Sequence, residues 1–263
     1  MISGEQLLSH PNMRLFLQGK GKVTSPIGRG ALKFFELDQP NVLLVTSASY
    51  EKEDAIKYAA AGKRVFGKEN GASVSVLHKF GQLPTATQIE HEVGKADMVW
   101  FTGGSSQLAM DILKTSGADV ALNAAAIEKP FGGGSFGCIA MAKHGMSYYT
   151  DDGSNQYINF DGFGYLDAVV SPHLDFIEPE DGNTLPRSHF FMKFLTKGGL
   201  YVPVFGIGVD HEAGLGISAT QFQVFGKYKA SGVTTYQSDG MGQLIQLRHQ
   251  QTEAPQSIEL LAA

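Results

Sequence analysis

Short, almost wholly apolar runs alternate along this chain with segments of helical period, and that alternation restricts the fold more than any other feature. Residues 41–46 (NVLLVT) read as a buried strand, short and rich in branched side chains. Ser47 and Ser49 are suitable N-caps for a helix over about residues 51–66, on which Ala55, Ala59, Gly62 and Phe66 share a face. Residues 72–77 read as the next strand and 85–95 as the next helix. Residues 97–102 (DMVWFT) form a further apolar strand closed by Gly103-Gly104. Ser105 or Ser106 then caps a helix with Leu108/Ile112 and Ala109/Leu113 at i,i+4 spacing. A helix over about residues 118–127 ends before Pro130. Such β-α repetition predicts a mainly parallel sheet covered on both faces, a three-layer α/β sandwich with its ligand crevice at the carboxyl ends of the strands.

The second half is richer in strands. Residues 168–171 and 202–208 read as core strands separated by a helix over about 187–195. Residues 215–226, 233–236 and 243–247 read as antiparallel strands joined by Gly turns, and the polar tail after Arg248 is expected to fray. Neither a repeat nor a linker rich in Pro or Ser divides the 263 residues, so residues 1–263 are expected to be one domain.

Composition closes off several classes of function. With 43% apolar and 18% charged residues the chain has material for a full core, and a formal charge of -5 argues against nucleic acid. Lys57, Lys63, Arg64 and Lys68 cluster on a predicted helix, where a solvated face explains them. Cys138 is the one cysteine, which excludes an intramolecular disulfide and a four-Cys zinc site. Residues 1–22 are polar and broken by Pro11, so they do not read as a signal peptide, and no apolar run has the length of a membrane span. A cytoplasmic location is the simplest reading. No metal motif is present, because His91-Glu92 and His211-Glu212 each lack a second His four residues on. No cofactor is expected.

The chemistry points to residues 131–138 (FGGGSFGC), in which Gly133, Ser135 and Gly137 satisfy G-x-S-x-G. A sharp strand-to-helix turn holds such a serine in a strained conformation, and glycines two residues either side relieve the crowding. The N–H of Phe136 then points at the developing oxyanion. A nucleophilic serine needs a base and an orienting group behind it. His173 follows the predicted strand 168–171, at the carboxyl end where active-site residues of parallel sheets gather. The loop after the strand 202–208 carries Asp210, His211 and Glu212, a source of an acid for His173. Gly103-Gly104 either forms a tight turn or lets backbone N–H groups approach a ligand. Cys138 is a rival nucleophile, although one turn into the helix it more naturally packs as a small apolar side chain.

Four segments in order resemble the serine peptidases typified by peptidase E (aspartyl dipeptidase) and cyanophycinase. Trp100-Phe101-Thr102-Gly103-Gly104 looks like that family's strand ending in Gly-Gly. Gly134-Ser135-Phe136-Gly137-Cys138 lies where it carries G-x-S-A-G-A. Ser171-Pro172-His173-Leu174 is similar to N-P-H-F or D-Q-H-F, and Gly208-Val209-Asp210-His211-Glu212 to a glycine-led loop bearing an acid. The resemblance implies a fold related to class I glutamine amidotransferases. It also implies a triad of Ser135, His173 and an acid, with Gly104 and Phe136 supplying the oxyanion N–H groups. Without gaps the family's glutamate falls on His211. A shift of one residue would restore the acid as Glu212, the preferred reading, with Asp210, Asp151 and Asp152 as alternatives. Three further positions follow from the family pattern. Ser105 stands where an Asn or Asp would contact substrate, Arg187 is a candidate for a substrate carboxylate, and the Phe136 side chain is expected to reshape the pocket. The resulting expectation is a peptidase acting on short peptides, an exopeptidase or dipeptidase, through an acyl-enzyme. The competing expectation is a binding module that kept the fold and lost turnover. The expected partner is a small peptide substrate, with no nucleic acid and no membrane, and a homodimer an open possibility.

Overall fold

A computed structural model describes residues 7–46, 49, 51–77, 84–147, 158–180, 183–197, 204–238 and 243–262. Asp151, Asp152 and Ser47 lie outside the described residues. Along the chain the strands are β1 (Leu15–Gln18), β2 (Asn41–Val45), β3 (Ser73–Val76), β4 (Met98–Phe101), β5 (Phe131–Gly134), β6 (Ala142–Ser147), β7 (Ile158–Asp161) and β8 (Leu166–Pro172). They continue as β9 (Ile177–Glu180), β10 (Asn183–Pro186), β11 (Val204–Val209), β12 (Ala213–Ile217), β13 (Gln221–Gly226), β14 (Gly232–Ser238), β15 (Leu244–Gln250) and β16 (Gln256–Ser257).

The expected alternation is present, but it builds two large sheets rather than one. The first has the order β16-β13-β12-β1-β5-β4-β2-β3, and the second β15-β14-β11-β8-β6-β7. In the first sheet β1, β5, β4, β2 and β3 run parallel, and β12 adds to β1 antiparallel. In the second, β6, β8 and β11 are parallel, with antiparallel β7 and β14 outside them.

Period-two alternation sorts the first sheet's side chains to two cores. Phe16, Val42, Leu44, Met98 and Trp100 face one side, where the helix Ser25–Phe34 and the π-helical turn Lys63–Lys68 cover them. Leu15, Leu17, Leu43, Val45, Val99 and Phe101 face the other, under the helices Ala86–Lys95, Ser106–Thr115 and Ala118–Ala125. This is the three-layer arrangement that fully apolar strands require. The Trp100 indole lies between Phe16 and Phe66, at ring distances of 6.1 and 5.2 Å. It has room only because its neighbour across the β4–β5 ladder is Gly132. A Cβ there would come within 2.5 Å of the indole.

Three local expectations are corrected. The polar reading of residues 1–22 missed β1, whose Leu15, Phe16 and Leu17 are fully buried at the middle of the first sheet. Four residues are too few to show a period. The tail after Arg248 does not fray throughout: β15 runs to Gln250, β16 pairs with β13, and the helix Glu259–Ala262 buries Leu261 completely. The helix Lys52–Gly62 begins within a residue of its expected start, but its N-cap is Glu51 rather than Ser49. Among the described residues no helix is long and apolar enough to cross a membrane.

Because Leu261 packs into the main core, Leu261→Ala should lower unfolding free energy by about 2 kcal/mol, the low end for a buried leucine on a four-residue helix that can partly collapse. Urea denaturation followed by fluorescence measures this, and an unchanged midpoint would show that the tail contributes nothing.

Candidate active site

The turn from β5 into the helix Phe136–Met141 has the geometry that G-x-S-x-G requires. Ser135 sits at φ 52° and ψ -110°, a conformation costing about 1–3 kcal/mol for a residue with a side chain. The surrounding glycines are needed for contact as well as conformation. A Cβ on Gly133 would lie 2.7 Å from the Gly137 Cα, and one on Gly137 would lie 2.5 Å from the Phe101 carbonyl oxygen. The helix can therefore start directly against the ends of β4 and β5. Its carbonyl-side anchor is Ser135 itself, whose C=O accepts from the N–H groups of Cys138 and Ile139 at 3.1 and 3.3 Å.

His173 leaves the end of β8 in a second left-handed conformation, with φ 56°. The ladder between β8 and β11 pairs Pro172 with Val209, so His173 and the loop of residues 210–212 emerge side by side. The imidazole Nε2 of His173 lies 3.0 Å from Ser135 Oγ, within hydrogen-bond reach. Burial, then Arg187, His211 and Lys20, push its pKa down to about 3, so the ring is neutral at pH 7 and its Nε2 lone pair is free to accept. Arg187 is buried, and its Nη1 donates to the Pro172 carbonyl at 3.2 Å, next to His173.

The group behind His173 is a second imidazole. His211 Nδ1 stands 2.6 Å from His173 Nδ1, and the rings are 4.8 Å apart. This corrects the expectation that Glu212 takes this place. Glu212 instead turns to Lys20 at 2.9 Å, with Lys227 at 3.9 Å. Asp210 is equally occupied: its carboxylate pairs with Arg248 and accepts the Gly232 N–H at 2.9 Å. The backbone N–H of His211 donates to Asp175 Oδ1 at 2.6 Å, which fixes the loop in the register that presents the imidazole.

The remaining expected residues divide. Gly103 lies against the nucleophile, since a Cβ there would be 3.2 Å from Ser135 Cβ, and the exposed Gly104 follows at φ 134°. Ser105 uses its hydroxyl to cap the helix Ser106–Thr115, accepting the Leu108 N–H at 3.3 Å. The Phe136 ring is buried in the main core, so it does not narrow a crevice. Cys138 is fully buried, with Sγ 3.0 Å from the Ser135 carbonyl oxygen, and burial raises its thiol pKa far above the ordinary value. It is packing, not a nucleophile.

Sequence reasoning missed the segment that joins these parts. After β1, the Gln18 carbonyl accepts the Ser135 N–H at 3.0 Å, and the Gly21 carbonyl accepts the Gly103 N–H at 3.2 Å. Gln18 Nε2 holds the loop's shape by donating to the carbonyls of Lys20 and Lys22. The one available signal was Gln18-Gly19-Lys20-Gly21 directly after LFL, a strand end followed by glycines.

A strained serine paired with an imidazole at the carboxyl ends of parallel strands places the chain in the class of α/β serine hydrolases. Its family is peptidase family S51, whose pattern matches residues 18–224, and the chain belongs to that serine peptidase family. The fold is similar to that of a peptidase from an acI-B1 Actinobacterium, with a TM-score of 0.65 and 16% identity over 94% of this chain and 98% of that one. It is also similar to a protein of Listeria monocytogenes EGD-e assigned to the peptidase E type, with a TM-score of 0.57 and 20% identity over 90% and 98%. The architecture is the class I glutamine amidotransferase-like one. No curated protein matches the sequence.

The pairing of Asp210 with Arg248 makes that carboxylate a structural group. Asp210→Ala should cost about 1–2 kcal/mol of stability, chiefly by leaving the buried Gly232 N–H without its acceptor, since Arg248 is open to solvent and keeps Thr234 and the Ala230 carbonyl. Chemical denaturation of the purified variant reads the loss, and full stability would mean that the ion pair is idle.

Proposed function

We propose that the protein cleaves short peptides through an acyl-enzyme on Ser135, with His173 as the general base. The 3.0 Å approach of His173 Nε2 to Ser135 Oγ carries this reading, because two residues from different sheets meet there in strained conformations that packing alone does not need. Ser135 Oγ attacks the scissile carbonyl as His173 takes its proton. The N–H groups of Phe136 and Gly104 are the proposed oxyanion donors, each worth about 3 kcal/mol of barrier. Support for Gly104 is its position directly after Gly103, which packs on the serine.

The expected exopeptidase or dipeptidase action fits the charge near the nucleophile. Lys20 and Arg187 both act on His173, and Lys20 is partly open to solvent, so a free substrate carboxylate would be drawn to this end. Arg187, buried under Pro172, is better suited to supporting the His173 turn and supplying field than to gripping that carboxylate directly. The Listeria monocytogenes protein's assignment to the peptidase E type favours small peptides over folded proteins as substrates. A cytoplasmic site of action and a single domain remain part of the same proposal.

A fluorophosphonate probe tests the assignment without knowledge of the substrate. Wild-type protein should label at Ser135, Ser135→Ala should not label, and His173→Ala should slow labelling by about three orders of magnitude or more. Iodoacetamide should leave the folded protein unlabelled at Cys138. Equal labelling of wild type and Ser135→Ala would remove the nucleophile, and no labelling of folded wild type would favour the binding module instead.

A further inference from the structure

A triad ordinarily stabilises its imidazolium with a carboxylate, and here the position behind the base is held by His211. Two neutral imidazoles whose Nδ1 atoms are 2.6 Å apart can share only one proton between them. With His173 Nε2 free to accept from Ser135, that proton sits on His173 Nδ1 and is donated to His211 Nδ1. The surroundings of the two rings differ. His173 is flanked by the cations of Arg187 and Lys20, with the Ser135 hydroxyl at Nε2 and the Phe176 ring beside it. His211 faces the carboxylates of Glu212 and Asp175 as well as Lys20 and Lys227. The Phe176 ring also packs beside it at 6.2 Å. Both lysines lie near Glu212, so the carboxylates offset them at His211, whereas among the described residues the charges that bear on His173 are the cations of Arg187 and Lys20.

We infer that His211 is the terminal acceptor of the serine proton, so that the positive charge of the transition state comes to rest on His211 rather than on His173. The inference rests on the assignment of Ser135 and His173 as nucleophile and base. As the Ser135 Oγ–carbon bond forms, the carbonyl π pair moves to oxygen and the hydroxyl proton passes to His173 Nε2. The Nδ1 proton of His173 passes in the same step to His211 Nδ1, leaving His173 neutral in its other tautomer. When the intermediate collapses, the departing amine takes the Nε2 proton of His173, and the proton on His211 returns to His173 Nδ1. His211 does not touch the substrate, and it acts as a positioning residue and proton store.

The sign of the pH dependence follows from the same groups. Burial and the neighbouring cations lower the pKa of both rings below 6.5, so the pair stays free of an added proton, with Nε2 of His173 available, as pH falls through that value. A carboxylate in place of His211 would favour the protonated His173, and loss of basicity would then set in at higher pH.

The fluorophosphonate labelling rate of the full chain, measured across pH 4 to 9, tests this with His211→Phe, His211→Asn and His211→Glu. The Phe and Asn variants, which cannot take the proton, should label about 1,000-fold more slowly or worse. His211→Glu should stay within about tenfold of wild type and move the acid limb to higher pH, a shift that a merely packing role for His211 would not produce. Wild-type rates with an unmoved acid limb in the Phe or Asn variant would overturn the relay, with circular dichroism confirming that each is folded. So would labelling that appears only in His211→Glu. Failure of the underlying assignment looks different, because Ser135→Ala would then label like wild type or no variant would label.

Discussion

The site exists because one backbone segment, Gln18 to Gly21, is wedged between the ends of three strands. Its carbonyl groups hold the Ser135 and Gly103 N–H groups. The close approach is possible only where side chains are missing: a Cβ on Gly134 would meet the Lys20 carbonyl oxygen at 2.1 Å, and one on Gly19 would meet that of Asp210 at 1.8 Å. The nucleophile turn, the Gly-Gly turn after β4 and the loop carrying His211 are thus packed on one strip of chain. A strip held by backbone hydrogen bonds to both turns is a rigid support, and it keeps two strained residues from relaxing.

Electrostatics gives this site its character. Asp210 and Glu212, the acids that flank His211 in sequence, are committed to Arg248 and Lys20. The imidazole of His173 is left among cations and another imidazole, an environment that keeps it neutral and makes its protonated form costly. A base of that kind remains available in acid but gains little driving force for taking a proton, which is why the second ring matters.

Much of the fold was legible because burial on both faces leaves an unambiguous pattern. NVLLV and MVWF can be little else than interior strands, and each was read within a residue or two of its observed bounds. The elbow was legible for a different reason, since only glycines fit beside Gly137 and Phe101. What escaped reading was short or depended on partners far along the chain. LFLQ has no period to detect, and β16 with the helix Glu259–Ala262 is ordered by packing on β13 and the core rather than by its own composition. The division into two sheets was also invisible, because apolar strands read alike whichever neighbour they pair with.

By itself the sequence determined the layered α/β architecture, the strained serine and the imidazole that could serve it, since these rest on local pattern and steric exclusion. Which side chain stands behind that imidazole was decided only in three dimensions. Asp210, His211 and Glu212 are consecutive and all ionisable, and a turn of one residue exchanges them. The Asp175 carboxylate on the His211 N–H, with Arg248 and Lys20 drawing off the two acids, selects the imidazole, and those partners lie 36, 38 and 192 residues away along the chain.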